Sequence, residues 1–301
     1  KIKELVKKTK ELKEYQDTPS SQEDLEKIPM LELSDIKREP AKDYNDVKSV
    51  DGIKIVHHNI FTNKIAYINM SFDTKCVPDE LIPYMGLLGS TLSLMDTKNY
   101  TYPELTNEIN INCGGLATGT ALYSDKVDFS KNTIVYEVKS KALYEKVPFV
   151  LGMMEEIMYN TRFDDYKRLK EIIARIKSRL EASLMGQGHS IAMLECCAQF
   201  SESAYYSDIL RGYKYYEFIK KLDEEFEQNK TQIVDKLNKL VGYIFNKDNV
   251  IVSLTADDEG YDCFVKALSA KSCNIKDEHY NTAVRSFIPV NVKTGYTSAS
   301  Q

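Results

Sequence analysis

The apolar positions along the chain change period several times. The opening KIKELVKKTKELKEYQ sets Ile2, Leu5, Val6, Leu12 and Tyr15 near helical spacing, with no capping residue before them. In DTPSSQED, Pro19 breaks that pattern, and Ser20 with Glu23 forms a capping-box signature for a short second helix. From about Ile28 to Val50 the chain is polar and carries Pro29 and Pro40, which reads as a linker crossing a surface. The compact part is expected to begin near Ser49.

GIKIVHHNI and KIAYINMSF are rich in β-branched and aromatic residues and are joined by Phe61-Thr62-Asn63, which predicts a hairpin. In the second, Ala66, Ile68, Met70 and Phe72 alternate onto one face. A helix is expected from about Asp79 to Met95 and another from Tyr102 to about Asn110, where Thr101 and Glu104 bracket Tyr102-Pro103 as a capping box. Cys113-Gly114-Gly115 then breaks the chain before two strands, LATGTALYS and NTIVYEVKS. After Tyr144 the period becomes helical. Tyr144 to Asn160 is one helix, and Asp164 to Leu184 is a long amphipathic one with Leu169, Ile172, Ile173, Ile176, Leu180 and Leu184 on its apolar side, ended by Gly186 and Gly188. Two or three more helices, the strand VIVSLTA and the helix EGYDCFVKALSA complete the order. The pattern is that of an α+β fold, an antiparallel-rich sheet with helices covering one face.

With 301 residues the chain can bury a sizeable core. A net charge of −5 gives a nucleic-acid partner no electrostatic support, and Lys7-Lys8 and Lys220-Lys221 read as solvated helix faces. No apolar run approaches a membrane span, so no membrane partner is expected. The six cysteines fall in no C-x-x-C pair, which fits reduced thiols in a reducing compartment; Cys196 and Cys197 read as core packing. The uncapped start and the open end, TGYTSASQ, read as those of a fragment of a longer polypeptide.

Candidate chemistry is sparse. His57 and His58 are neighbours in a strand and point to opposite faces, while His189 and His279 stand alone in sequence, so no metal site is readable. Gly188-His189-Ser190 is not a nucleophile elbow, a Cys197–His189 pair is geometrically weak, and Gly186-Gln187-Gly188 lacks what a dinucleotide turn needs. Glu155-Glu156 and Glu224-Glu225 look like exposed helix faces. The tyrosines of SAYYSDILRGYKYYEFIKKL could hold a peptide, but helix packing is the favoured reading.

Taken together, HHNIFTNKIAYINMSFDT, the helix ending Met95-Asp96-Thr97, YTYPELTNEININCGG, and GHSIAMLECC followed by GYKYYEFIKKL resemble the insulinase/pitrilysin-type zinc metallopeptidases, in their presequence-protease-like branch. The resemblance covers essentially the whole chain. It implies that residues 1–17 are the end of a helical-hairpin linker, 18–48 an extended linker, 49–273 the third of four homologous α+β repeats, and 274–301 the linker and leading strand of the fourth. In such proteins the first repeat carries an inverted zinc motif, H-x-x-E-H. If Asp96-Thr97 marks the same point here, that motif falls on Leu87, Leu88, Gly89, Ser90 and Thr91, and the third ligand's region is EIIARIK, around Arg175.

The resemblance therefore implies a non-catalytic repeat in the C-terminal half of a zinc-dependent peptide-degrading protease. Zinc would be held by the N-terminal half; catalytic, cofactor and metal residues in this chain would be none, and no peptide-contacting residue is assigned. The partners implied are that catalytic half, the following fourth repeat and unfolded peptides. The compartment implied is an organelle matrix or a bacterial cytoplasm. Two other readings stand beside it: a zinc-free scaffold or partner subunit of a related peptidase, and a self-sufficient Cys or Ser hydrolase.

Overall fold

The computed structural model describes residues 1–39, 45–128, 131–270, 273–285 and 287. The chain divides into two units, Lys1–Asp43 and Tyr44–Gln301. The first holds α1 (Ile2–Asp17), α2 (Gln22–Glu26) and a single 3-10 turn, Leu33–Asp35. On α1, Lys7 and Lys8 pair with Glu11 and Glu4 one turn away, which is a solvated face as expected. Its apolar residues Ile2, Leu5, Val6, Leu12 and Tyr15 are all exposed. The cap of α2 lies one residue beyond the expected pair: Ser21, not Ser20, accepts from the backbone N–H of Asp24, its Oγ donating in turn to the Asp24 carboxylate at 2.6 Å.

The second unit runs β1 (Asp46–Val50), β2 (Ile53–Asn59), β3 (Ile65–Asp73), α3 (Ile82–Thr91), α4 (Tyr102–Asn112), β4 (Leu116–Ser124), β5 (Asn132–Leu143), α5 (Val147–Tyr159), α6 (Tyr166–Gly186), α7 (Gly188–Cys197), α8 (Glu202–Arg211), α9 (Tyr213–Glu224), α10 (Phe226–Ile244), β6 (Val250–Ala256) and α11 (Asp258–Ser269). Among the described residues these strands form one sheet, in the order β1-β2-β6-β3-β5-β4. Only β2 and β6 run parallel; every other neighbouring pair is antiparallel. The class is α+β, as the periodicity requires.

The pairing corrects one expectation. β2 and β3 do not form a hairpin, because β6 lies between them and bonds both. The true hairpin is β1–β2, turned by Asp51 and Gly52 at φ of 50° and 79°. Positive φ at both central residues is the two-residue turn whose twist suits a hairpin, and an Asp-Gly pair tolerates it. The first strand thus begins at Asp46, inside the stretch whose composition is that of a linker.

Ala66, Ile68, Met70 and Phe72 of β3 are all buried, as alternation requires. They share a face with Ile53 and Ile55 of β2, Tyr136 and Val138 of β5, and Val252 and Leu254 of β6. The helices α3, α5 and α11 pack on this side against β4, β5 and β6, and α10 packs on α3. Phe245, just past α10, sits at the centre: its ring meets Phe72 edge-on at 5.1 Å, Tyr136 at 5.5 Å and Tyr159 at 6.0 Å. The other face of the sheet is polar and open. There Glu137 accepts from Asn69 at 2.9 Å and Tyr123 at 3.0 Å and pairs with Lys139 at 2.6 Å.

Four helices, α7 to α10, fill the stretch where two or three are expected. The helix after β3 ends at Thr91, four residues early, and Ser93 to Tyr100 form turns held by a buried carboxylate. That carboxylate is Glu156, which the sequence pattern puts on an exposed face. It accepts from the Asn99 N–H at 3.0 Å, Asn99 Nδ2 at 2.8 Å and Asn160 Nδ2 at 2.6 Å, which is why burial is tolerated. Cys196 and Cys197 are half-buried rather than in the core. Past Cys273 the chain is extended and Lys276 bridges to Asn246; the leading strand expected late in 274–301 falls on residues 288–301, outside the described residues.

Candidate functional site

Leu87, Leu88, Gly89, Ser90 and Thr91, the positions matched to a zinc motif, all lie on α3. Leu87, Leu88 and Thr91 are wholly buried in the core. Thr91 Oγ1 donates to Leu88 O at 3.0 Å and Ser90 Oγ to Gly86 O at 3.3 Å. The donor set is two hydroxyls, both turned onto their own helix, with no imidazole or carboxylate. These residues do not fit a zinc ion.

The small residues of α3 have a packing reason. A Cβ on Gly86 would stand 2.8 Å from the Tyr215 ring and 3.0 Å from Leu210 O, and one on Gly89 would stand 3.1 Å from Gly119 Cα. Thr118 Oγ1 donates to Gly89 O at 3.0 Å, tying α3 to the edge strand β4. Behind Gly89 ends the wholly buried Tyr136.

Beside this contact lies a cavity of about 560 Å³. Its walls come from α3 (Gly86, Gly89, Ser90), Ser93 just beyond it, β4 (Thr118, Gly119, Thr120), α6 and the α8–α9 corner. Three arginines line it, Arg175 and Arg179 from α6 and Arg211 from the end of α8, and no carboxylate does. Where the resemblance puts a ligand's region, around Arg175, the structure puts a guanidinium. Tyr215 forms the inner wall; its hydroxyl has no hydrogen-bond partner among the described residues, burial pushes its ionisation well upward, and Arg179 acts in the opposite direction. Sequence reading misses Arg179, Arg211 and Tyr215. The available signal is Arg175 and Arg179 one helical turn apart on α6, like charges on one face.

The tyrosine-rich stretch divides. Tyr206 and Tyr215 are buried, Tyr205 packs edge-on against Tyr206 at 5.3 Å, and Tyr84 and Tyr215 both meet Phe218, which is helix packing. The histidines behave as expected for the strand pair: His57 Nε2 bonds Ala256 O at 2.9 Å and His58 Nε2 bonds Ser253 Oγ at 3.1 Å, on opposite faces. His189 and Cys197 sit at the two ends of α7, about 12 Å apart along its axis. His279, solitary in sequence, is brought to Asp248 and Asp277, all three exposed, and makes an ion pair with Asp248.

A sequence profile described as "Peptidase M16 (subfamily C) associated" matches residues 1–222. The chain belongs to that family. This peptidase-associated chain is 37% identical over 285 residues to protein HypA of Clostridium perfringens, covering 93% of the chain and 29% of that protein. It is 29% identical over 255 residues to presequence protease 1, chloroplastic/mitochondrial, of Arabidopsis thaliana, covering 84% of the chain and 23% of that protein. The chain thus spans less than a third of the length of these curated relatives, and the relationship is presequence-protease-like, to the C-terminal region. In fold it resembles a conserved protein from Enterococcus faecalis V583, with a TM-score of 0.56 and 12% identity, over 78% of this chain and 54% of that one.

Proposed function

We propose that this chain is a non-catalytic segment of the C-terminal half of a zinc-dependent, oligopeptide-degrading metalloendopeptidase. It forms wall and closure of a peptide chamber, and zinc hydrolysis takes place in the N-terminal half. The observation that carries this reading is α3: in a chain related to presequence proteases, the helix matched to the zinc motif offers only hydroxyls, packs its leucines in the core, and faces arginines. The open polar face of the sheet and the uncovered apolar residues of α1 support it, since both are surfaces a larger assembly uses.

The test compares the complete gene product, the same product lacking residues 49–273, and the 301-residue chain, each given an unstructured fluorogenic peptide. Cleavage by the complete product, abolished by chelator and by the deletion, with none from the chain alone, is expected. Chelator-resistant cleavage by the chain alone would overturn the reading in favour of a hydrolase of its own. A complete gene product of about this length that binds a separate catalytic subunit would favour a zinc-free partner.

A further inference from the structure

We infer that the cavity between α3, β4, α6 and the α8–α9 corner binds a small polyanion through its carboxylate or phosphate oxygens, gripped by Arg175, Arg179 and Arg211. Three guanidiniums line one cavity in a protein whose net charge is −5, and no acidic side chain shares the lining. Among the described residues none of the three has an ion-pair partner or donates a hydrogen bond. Elsewhere on α6 the pattern is the opposite: Arg168 pairs with Glu171, Lys170 with Glu227 and Lys177 with Asp223.

Arg175 and Arg179, one turn apart, repel each other, a cost that a bound anion reverses. Arg211 is suited to the negative end of α8, which explains its position but leaves its guanidinium free for a ligand. The hydroxyls of Ser93 and Thr120, also in the lining, make no hydrogen bond among the described residues and add two donors. Guanidinium forks match the paired oxygens of carboxylate and phosphate, and the volume is that of a small-molecule site. The small residues Gly86, Gly89 and Gly119 keep α3, Tyr215 and β4 in the close contacts that shape the walls.

The test titrates pyrophosphate and citrate separately into the 301-residue chain, against potassium chloride at matched ionic strength, following the melting temperature and binding heat. A saturable response is expected with at least one probe, weakened about tenfold by each of Arg175→Gln, Arg179→Gln and Arg211→Gln. All three side chains are exposed, so the variants should keep the parent circular dichroism. A response to pyrophosphate alone assigns the site to phosphates, and to citrate alone to carboxylates; a response to both gives a general oxyanion site. No saturable response to either probe, or equal responses in parent and folded variants, overturns the inference. The peptidase reading is untouched by either outcome, since no peptide cleavage is measured.

Discussion

Glu156 and Glu195 are both largely buried carboxylates, and their surroundings push them in opposite directions. Burial raises Glu156, but hydrogen bonds from Thr97, Asn160 and Asn99 outweigh it and hold the group below the ordinary glutamate range. Its stabilisation is therefore present above the unfolded-state pKa and is lost as pH falls through the folded one. Glu156→Ala strands several buried donors and is expected to cost about 3 kcal/mol in urea unfolding. Glu195 is pushed up to about 7 by burial and then by the neighbouring Asp208, with Lys214 opposing. One ammonium serves both, at 3.3 Å from Asp208 and 3.9 Å from Glu195, and Glu195 Oε2 has no hydrogen-bond donor among the described residues. A carboxyl raised in the fold stabilises it at low pH, and that contribution fades as pH climbs from the unfolded glutamate value through about 7. Glu195→Gln should flatten the decline in melting temperature across that window; an unchanged slope would refute the assignment. Neither environment is legible in sequence. Glu156 sits at the end of an apolar helix where exposure looks natural, and the loop it holds, Ser93 to Tyr100, is a run of ordinary polar residues broken only by Leu94 and Met95.

At the scale of elements, α3 shows what its small residues do. Gly86→Ala gains helix propensity of about 1 kcal/mol but drives a methyl into the Tyr215 ring and Leu210 O, so a net loss of about 1–2 kcal/mol is expected. Gly186→Ala, with nothing within 4 Å of the added carbon, should be neutral or stabilising by up to about 1 kcal/mol. Chemical denaturation of the two variants separates contact from propensity. Local patterns are legible where neighbours in sequence decide them. The start of α4 has Glu104 accepting from Thr101 N at 2.9 Å, the Gly114-Gly115 break leads straight into β4, and α6 buries Leu169, Ile172, Ile173 and Ile176. Pairing is hidden where it depends on distance. Nothing near Asn59 says that a strand from residue 250 will separate it from Lys64. The cavity is equally hidden, since its arginines come from α6 and α8 while its floor comes from α3 and β4.

At the scale of the whole molecule, the one compact group of potential metal ligands found among the described residues is Asp248, Asp277 and His279, all exposed. Chelator is therefore expected to leave the melting temperature of the chain unchanged, and added zinc to raise it little. A large drop on chelation would show a structural metal and contradict the reading of α3. No helix among the described residues is long and apolar enough to cross a membrane. The position of β6 has a consequence for how the protein is made. His57 and Ala256, bonded side chain to backbone, are 199 residues apart in the chain. On a ribosome adding roughly 5–20 residues per second, β2 and β3 emerge about 10–40 s before the strand that joins them. During that interval the nascent chain holds two separate half-sheets, β1–β2 and β3–β5–β4, each with a long unbonded edge facing the other. Synthesis speed, and whatever shields those edges, then governs how much of the product reaches the native sheet rather than sticking to a neighbouring chain.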